Sequence, residues 1–284
     1  MFYQSMGTIA LASTVTVILL IWIGSMRNPF LVIKEFTATI LSSRKFAILI
    51  LAVVAILFIN KNELRFEHNM KYYADFTPWI FGIEGHIVRN IQDFFYNPII
   101  TQICVFFYVI VFQSLLISSI GVYLLDRNKL FVYAICFAII INYSVAIPFY
   151  LFFPVNEVWS YPPAGVRFHM LDVFPTFEES YRPLSGLNNC FPSLHTSISM
   201  TILLLGARSG NRRWRIITGI SGVIIIFSIF YLGIHWVSDM LAGSLLGIIA
   251  STLGIYWAKS ILRKEEKSLY KKAPHKIRVP QNSK

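Results

Sequence analysis

Two short strings put chemistry-bearing side chains where a membrane protein rarely carries them. One is Phe191-Pro192-Ser193-Leu194-His195; the other is Tyr231-Leu232-Gly233-Ile234-His235-Trp236-Val237-Ser238-Asp239. Each sets a histidine at the mouth of a long apolar segment, and the second adds an acid four residues on. Histidine and aspartate are costly in a bilayer, so their presence there points to function. Two histidines, one of them held by a carboxylate, can attack a phosphorus and protonate the leaving oxygen. Asp239, one helical turn from His235, can fix its tautomer and stabilise an imidazolium. Pro192 suits the first helical position, which leaves N–H groups around Ser193 and Leu194 for an anion, with the Ser193 hydroxyl as a further donor. In the preceding loop, Arg182-Pro183 offers a guanidinium fork for phosphate oxygens. Either string alone would serve equally well as a polar anchor at a helix end, and Arg182 alone as a solvated loop arginine.

The elements that must position these residues are membrane helices. Of 284 residues, 56% are hydrophobic and 14% charged, well below the quarter charged of an ordinary soluble domain. The apolar residues come in spanning lengths. Seven segments qualify: 6–26, 45–60, 99–125, 130–153, 191–207, 214–232 and 235–260. The expected fold is therefore all-α, a polytopic bundle of about six or seven transmembrane helices. The stretch 61–98 mixes charges with aromatics at helical spacing and reads as one or two amphipathic helices at the interface. The first apolar run lacks a basic segment before it, which favours a retained span over a cleaved signal. One domain is expected over 1–284, with its catalytic part at about 154–258 and a basic tail at 259–284. Cys104, Cys136 and Cys190 have no metal-ligand spacing and form no disulfide framework.

The formal charge of +11 is unevenly placed. Nine Lys/Arg and two Glu lie between Lys259 and Lys284, directly after the last apolar run. Such a tail suits anionic lipid headgroups, and no recognition motif for nucleic acid accompanies it. Other basic stretches hold Arg27, Lys34, Arg44 and Lys45; Arg127 and Lys129; and Arg208, Arg212, Arg213 and Arg215. With seven spans all four stretches share the cytoplasmic side, and both histidines open their helices on the outer side of the cell membrane.

The order Arg-Pro, then Pro-Ser-x-His opening a span, then His-x-x-x-Asp opening a later one resembles the type 2 phosphatidic acid phosphatase superfamily, over roughly Tyr181 to Gly243. The departures from its pattern are specific. Pro175 stands where the first motif has lysine, Leu194 where the second has glycine, and Ser228-Ile229 where the third has Ser-Arg. The Pro-Ser-Leu-His form and the missing arginine look like the inositol phosphorylceramide synthase branch.

The resemblance implies His235 as nucleophile, Asp239 as its orienter and His195 as general acid. Arg182, Ser193 and Leu194 would hold the phosphate, and Arg167 and His169 in the same loop are possible replacements for the lost cations. It implies no cofactor and no metal. The expected activity is phosphoric ester hydrolysis on a phosphorylated lipid. The alternatives are transfer of a phosphoalcohol headgroup between lipids and, in a different class, a non-catalytic transporter.

Overall fold

The computed structural model describes residue 3, residues 5–70 and residues 74–272 of the chain. Fourteen helices are found among them: α1 (Met6–Ser25), α2 (Leu31–Ser42), α3 (Arg44–Lys61), α4 (Glu63–Asn69), α5 (Thr77–Glu84), α6 (Ile87–Phe95), α7 (Pro98–Phe106), α8 (Phe112–Leu125), α9 (Lys129–Phe152), α10 (Phe177–Ser180), α11 (Arg182–Ser185), α12 (Leu194–Arg208), α13 (Arg212–Tyr231) and α14 (Val237–Lys272). A π-helical turn, Phe107–Val111, joins α7 to α8 without a break. Three short 3₁₀ turns lie in the loop between α9 and α10.

Five of these segments are long and apolar enough to cross a membrane: α1, α7 through α8, α9, α13 and α14. The pair α2 and α3, bent by 113° at Ser43, makes a sixth if taken as one broken span. Six is within the six or seven expected, and two of the seven candidate segments differ in their bounds. Residues 31–42 form a helix of their own instead of a loop, with Ser43 capping the next helix through Phe46 N. The segment expected at 191–207 begins later: Ser193, in extended conformation, caps a helix of only 15 residues. At 1.5 Å per residue that is about 22 Å, short of the hydrocarbon thickness. Enclosure by neighbours suits α12, which packs along α13, α14 and α9.

The stretch 61–98 holds α4, α5 and α6, none of spanning length; residues 71–73 within it lie outside the described residues. The basic tail enters as a continuation of α14 to Lys272, and its remaining residues, 273–284, also lie outside them.

Helix packing sorts the ends of the bundle. Arg27 Nη1 donates to Leu125 O at 2.6 Å, Asn128 Nδ2 to Ser209 O at 3.1 Å and Asn211 Nδ2 to Asp126 Oδ2 at 2.8 Å. Lys45 pairs with Glu265 at 3.4 Å. The basic connections thus gather at the end of the bundle away from His195 and His235. Two glycines bring the histidine-bearing helices together. A Cβ on Gly243 would lie 2.5 Å from Ser193 O, and one on Gly247 would lie 2.5 Å from Ser197 O. These small residues let α14 lie directly on the start of α12.

Candidate active site

His235 sits in a turn just before α14, at the mouth of the helix rather than on it. Gly233, with φ +81°, makes the turn, and a Cβ there would lie 2.5 Å from Arg167 O. Asp239 then reaches back from the first turn of α14. Its Oδ2 accepts from Trp236 N at 2.9 Å and lies 3.3 Å from His235 Nδ1. The backbone contact is half of a capping box, so one carboxylate both starts the helix and holds the imidazole. Its Oδ1 is buried with no hydrogen-bond partner among the described residues.

A second carboxylate completes this helix start. Glu84, at the end of α5, accepts from Val237 N at 2.7 Å and Ser238 N at 2.6 Å and is itself buried. An acid at a helix N-terminus satisfies unpaired N–H groups and the helix dipole. The sequence motifs assign Glu84 no such role. It had a legible signal: its neighbours at three and four positions either side, Ile80, Phe81, Ile87 and Val88, are all apolar.

His195 is held differently. Its ring stacks on Tyr108 at 4.0 Å and 15° and meets Phe112 at 4.3 Å and 35°. Tyr108 lies within the π-helical turn and Phe112 directly follows it, a distortion that often marks functional positions. No hydrogen bond joins its ring nitrogens to another described residue. The centroids of the two imidazoles lie 6.2 Å apart. With reacting atoms about 3–3.5 Å from each partner in an attack geometry, that gap admits one phosphorus between them.

Both histidines line a cavity of about 380 Å³. Leu194 lines it as well, between walls from α1, the α3–α4 junction, α8 and α9. Ser193 does not: its Oγ caps α12 through Thr196 N at 3.3 Å, and its own N–H donates to Asp239 O at 3.1 Å. Pro192 precedes the cap instead of occupying the first helical position, and Tyr150 Oη donates to its carbonyl at 3.1 Å. The free Ser193 N–H expected for an anion is therefore already used.

Arg182 is close by but committed. Its Nη1 and Nη2 donate to Glu157 at 2.7 and 2.8 Å, and Nη2 and Nε reach Glu178 at 2.8 and 3.1 Å. Phe177, Phe168 and Trp159 enclose the guanidinium. Burial works against its charge, but the two carboxylates hold it protonated more firmly than usual. Burial pushes the Glu157 carboxyl up, and Arg182 beside it pulls the other way. Arg182 thus positions Glu157, which lines the cavity.

The remaining two expected residues stand apart from the cavity lining. Arg167 is exposed, its backbone fixed by Gln92 at 2.8 and 3.0 Å. His169 is buried, 2.9 Å from Asp172 and stacked between Tyr96 and Tyr231. Gln92 beside Arg167 and the two tyrosines around His169 are distant in sequence, whereas Asp172 lies only three positions from His169.

Cys190 Sγ, His235 and Asp239 offer donor atoms within 4.8 Å of one another, so the three could meet a metal ion. The fit is poor. Burial pushes the Cys190 thiol well up, away from the thiolate that a metal requires, and Sγ lies 3.6 Å from Ile234 O as a donor.

No curated protein and no solved structure matches this chain. The model of the PAP2 superfamily matches residues 80–253, more than half of the chain and a stretch that contains Glu84, both histidines and Asp239. Members of that superfamily are phosphoesterases or phosphotransferases, and this chain, a helical protein with membrane-spanning segments, belongs to it.

Proposed function

We propose that the protein cleaves a phosphoric ester of a membrane lipid through a phosphohistidine on His235, with water as the usual acceptor. One observation carries this reading: a carboxylate-backed imidazole and an unpaired one face the same cavity with centroids 6.2 Å apart. The Nδ1–H of His235 donates to Asp239, which leaves Nε2 to attack phosphorus. The P–O ester bond breaks as the N–P bond forms, and the leaving oxygen takes a proton from His195. Water then attacks the phosphohistidine, giving its proton to His195 and restoring both rings.

Transfer to an alcohol, as in the inositol phosphorylceramide synthase branch, uses the same first half. Two observations favour it as the second reading. Ile229, fully buried, replaces the family's arginine, and Arg182 is neutralised by Glu157 and Glu178. Both suit a substrate of lower charge than a phosphomonoester.

The basic end of the bundle favours a cytoplasmic placement there and an outward active site in the cell membrane. Single cysteines at Glu179 and Arg212, both exposed, test this. An impermeant thiol reagent on intact cells should label position 179 and miss position 212; the reverse overturns the orientation. For the chemistry, ³²P-labelled phospholipids and rapid quenching should leave acid-labile label on the peptide containing His235. Unimpaired turnover in His235→Ala, or label on another residue, overturns the mechanism.

A further inference from the structure

The turn that carries His235 is held from both sides by the hairpin of α5 and α6. On its far side Glu84, the last residue of α5, takes the N–H groups of Val237 and Ser238. On its near side stands Gln92 of α6, a neutral side chain only 3% exposed. Its Nε2 donates to Tyr231 O at 2.9 Å and to Arg167 O at 2.8 Å, and its Oε1 accepts from Arg167 N at 3.0 Å. Tyr231 ends α13, so its carbonyl is one that the helix itself leaves unpaired. Among the described residues nothing else bonds these three backbone groups. A side-chain amide, with two N–H donors and a carbonyl acceptor, can meet all three at once. The same amide lies against the bend of the turn: a Cβ on Gly233 would be 3.0 Å from Gln92 Nε2. The imidazole of His235 follows two residues later.

We infer that Gln92 is a positioning residue for His235. It ties the end of α13 to the loop at Arg167, and the turn built on those two supports aims the imidazole at the cavity. Gln92 does not line the cavity itself, so it acts through backbone. This rests on the phosphohistidine reading above and adds to it a residue outside all three motifs. Without the amide, His235 keeps its tether but loses its alignment on phosphorus. A misplacement of about 1 Å costs about a hundredfold in rate.

The test is a pre-steady-state burst, with the full chain in detergent and a nitrophenyl ester of a lipid phosphate. Burst amplitude counts competent sites, and burst rate reads the attack by His235. Gln92→Met, similar in length but without the three bonds, should lower the burst rate about a hundredfold with KM near the parent value. Turnover of the natural lipid ester should fall by the same factor, because His195 and its leaving-group role are untouched. Gln92→Asn, which keeps the amide on a shorter stem, should fall between the two, and it decides alone if Gln92→Met yields no folded protein. A parent burst rate in the variants overturns the inference. So does a reduced amplitude with the rate per site unchanged, the mark of a side chain that only supports folding. In both cases ³²P label on His235 of the parent leaves the phosphohistidine reading standing. Neither burst nor label in the parent overturns both.

Discussion

The two histidine-bearing helix starts use the same residue type in opposite surroundings. At α14 the imidazole lies outside the helix, against a carboxylate that also starts that helix. A second acid from α5 takes the next two N–H groups, those of Val237 and Ser238. At α12 the imidazole lies inside the first turn, between two aromatic rings, with a serine capping the helix beside it. A carboxylate fixes a tautomer and stabilises positive charge, which suits a ring that becomes bonded to phosphorus. Aromatic faces fix the plane of a ring without competing for its nitrogens, which suits a group that only lends and recovers a proton. The contrast separates the two imidazoles by what surrounds them rather than by residue type.

The comparison breaks most readily at His235. His235→Ala should lower kcat by about 10⁵-fold or more, since a nucleophile is lost and not merely misplaced. Circular dichroism and insertion should match the parent. Next comes Asp239→Asn, expected to cost about 10³–10⁴-fold in kcat with KM little changed, by analogy with a triad whose imidazole loses its orienting acid. A wild-type rate from either variant would remove the distinction between the two helix starts.

His195→Ala sharpens the contrast instead of abolishing it. With a natural lipid alcohol leaving, the loss should be about 10²–10⁴-fold, the range of general acid catalysis. With a nitrophenyl ester of the same phosphate, whose leaving oxygen needs no proton, most of that loss should vanish from the first half-reaction. If the burst of nitrophenol falls as far as lipid turnover does, His195 is not the acid. His235→Ala should fail equally with both substrates.

The sequence disclosed the residues that meet at the cavity better than the residues that hold them there. His195, His235 and Asp239 were legible because their strings open apolar segments in a fixed order. The small face of α14 was legible too: Gly243 and Gly247 do meet α12. The start of α12 was misread by the position of Pro192, although Ser193 followed by Thr196 already offered a side-chain cap. Helix α2 was missed because Lys34 and Glu35 interrupt a short apolar stretch, which resembles a loop when its bend against α3 is unknown. Arg182 looked free because Glu157, which lies 25 positions earlier, cannot be paired with it by local spacing. Glu84 acts on Val237 across 153 positions, and only tertiary packing reveals that.

That distant clamp is expected to have a smaller effect. Glu84 touches backbone at Val237 and Ser238, so it is a positioning residue for the His235 turn. Glu84→Gln keeps one acceptor and should lower kcat about tenfold, near the cost of one charge-assisted hydrogen bond, with KM and the His195-dependent leaving-group effect unchanged. Glu84→Asp, shorter but still anionic, should recover part of the rate. A fall in folded yield with full specific activity in the remaining protein would reduce Glu84 to a structural cap.

The smallest expected effect is none, and it tests the His235 side specifically. That side carries Cys190, His235 and Asp239 within mutual reach of an ion, whereas His195 is flanked by rings that ligate nothing. A metal held there would draw on Asp239 and on a His235 nitrogen that the attack or its orientation requires, and would need the thiol ionised. Burial opposes that ionisation, and the Ile234 carbonyl receives the S–H. EDTA should therefore leave turnover unchanged at every pH where the enzyme is folded, and Cys190→Ser should keep most of the parent rate. Loss of activity on chelation, restored by a divalent ion and absent from Cys190→Ser, would make the α14 start a metal centre. The carboxylate-backed imidazole would then be a ligand and not the attacking group.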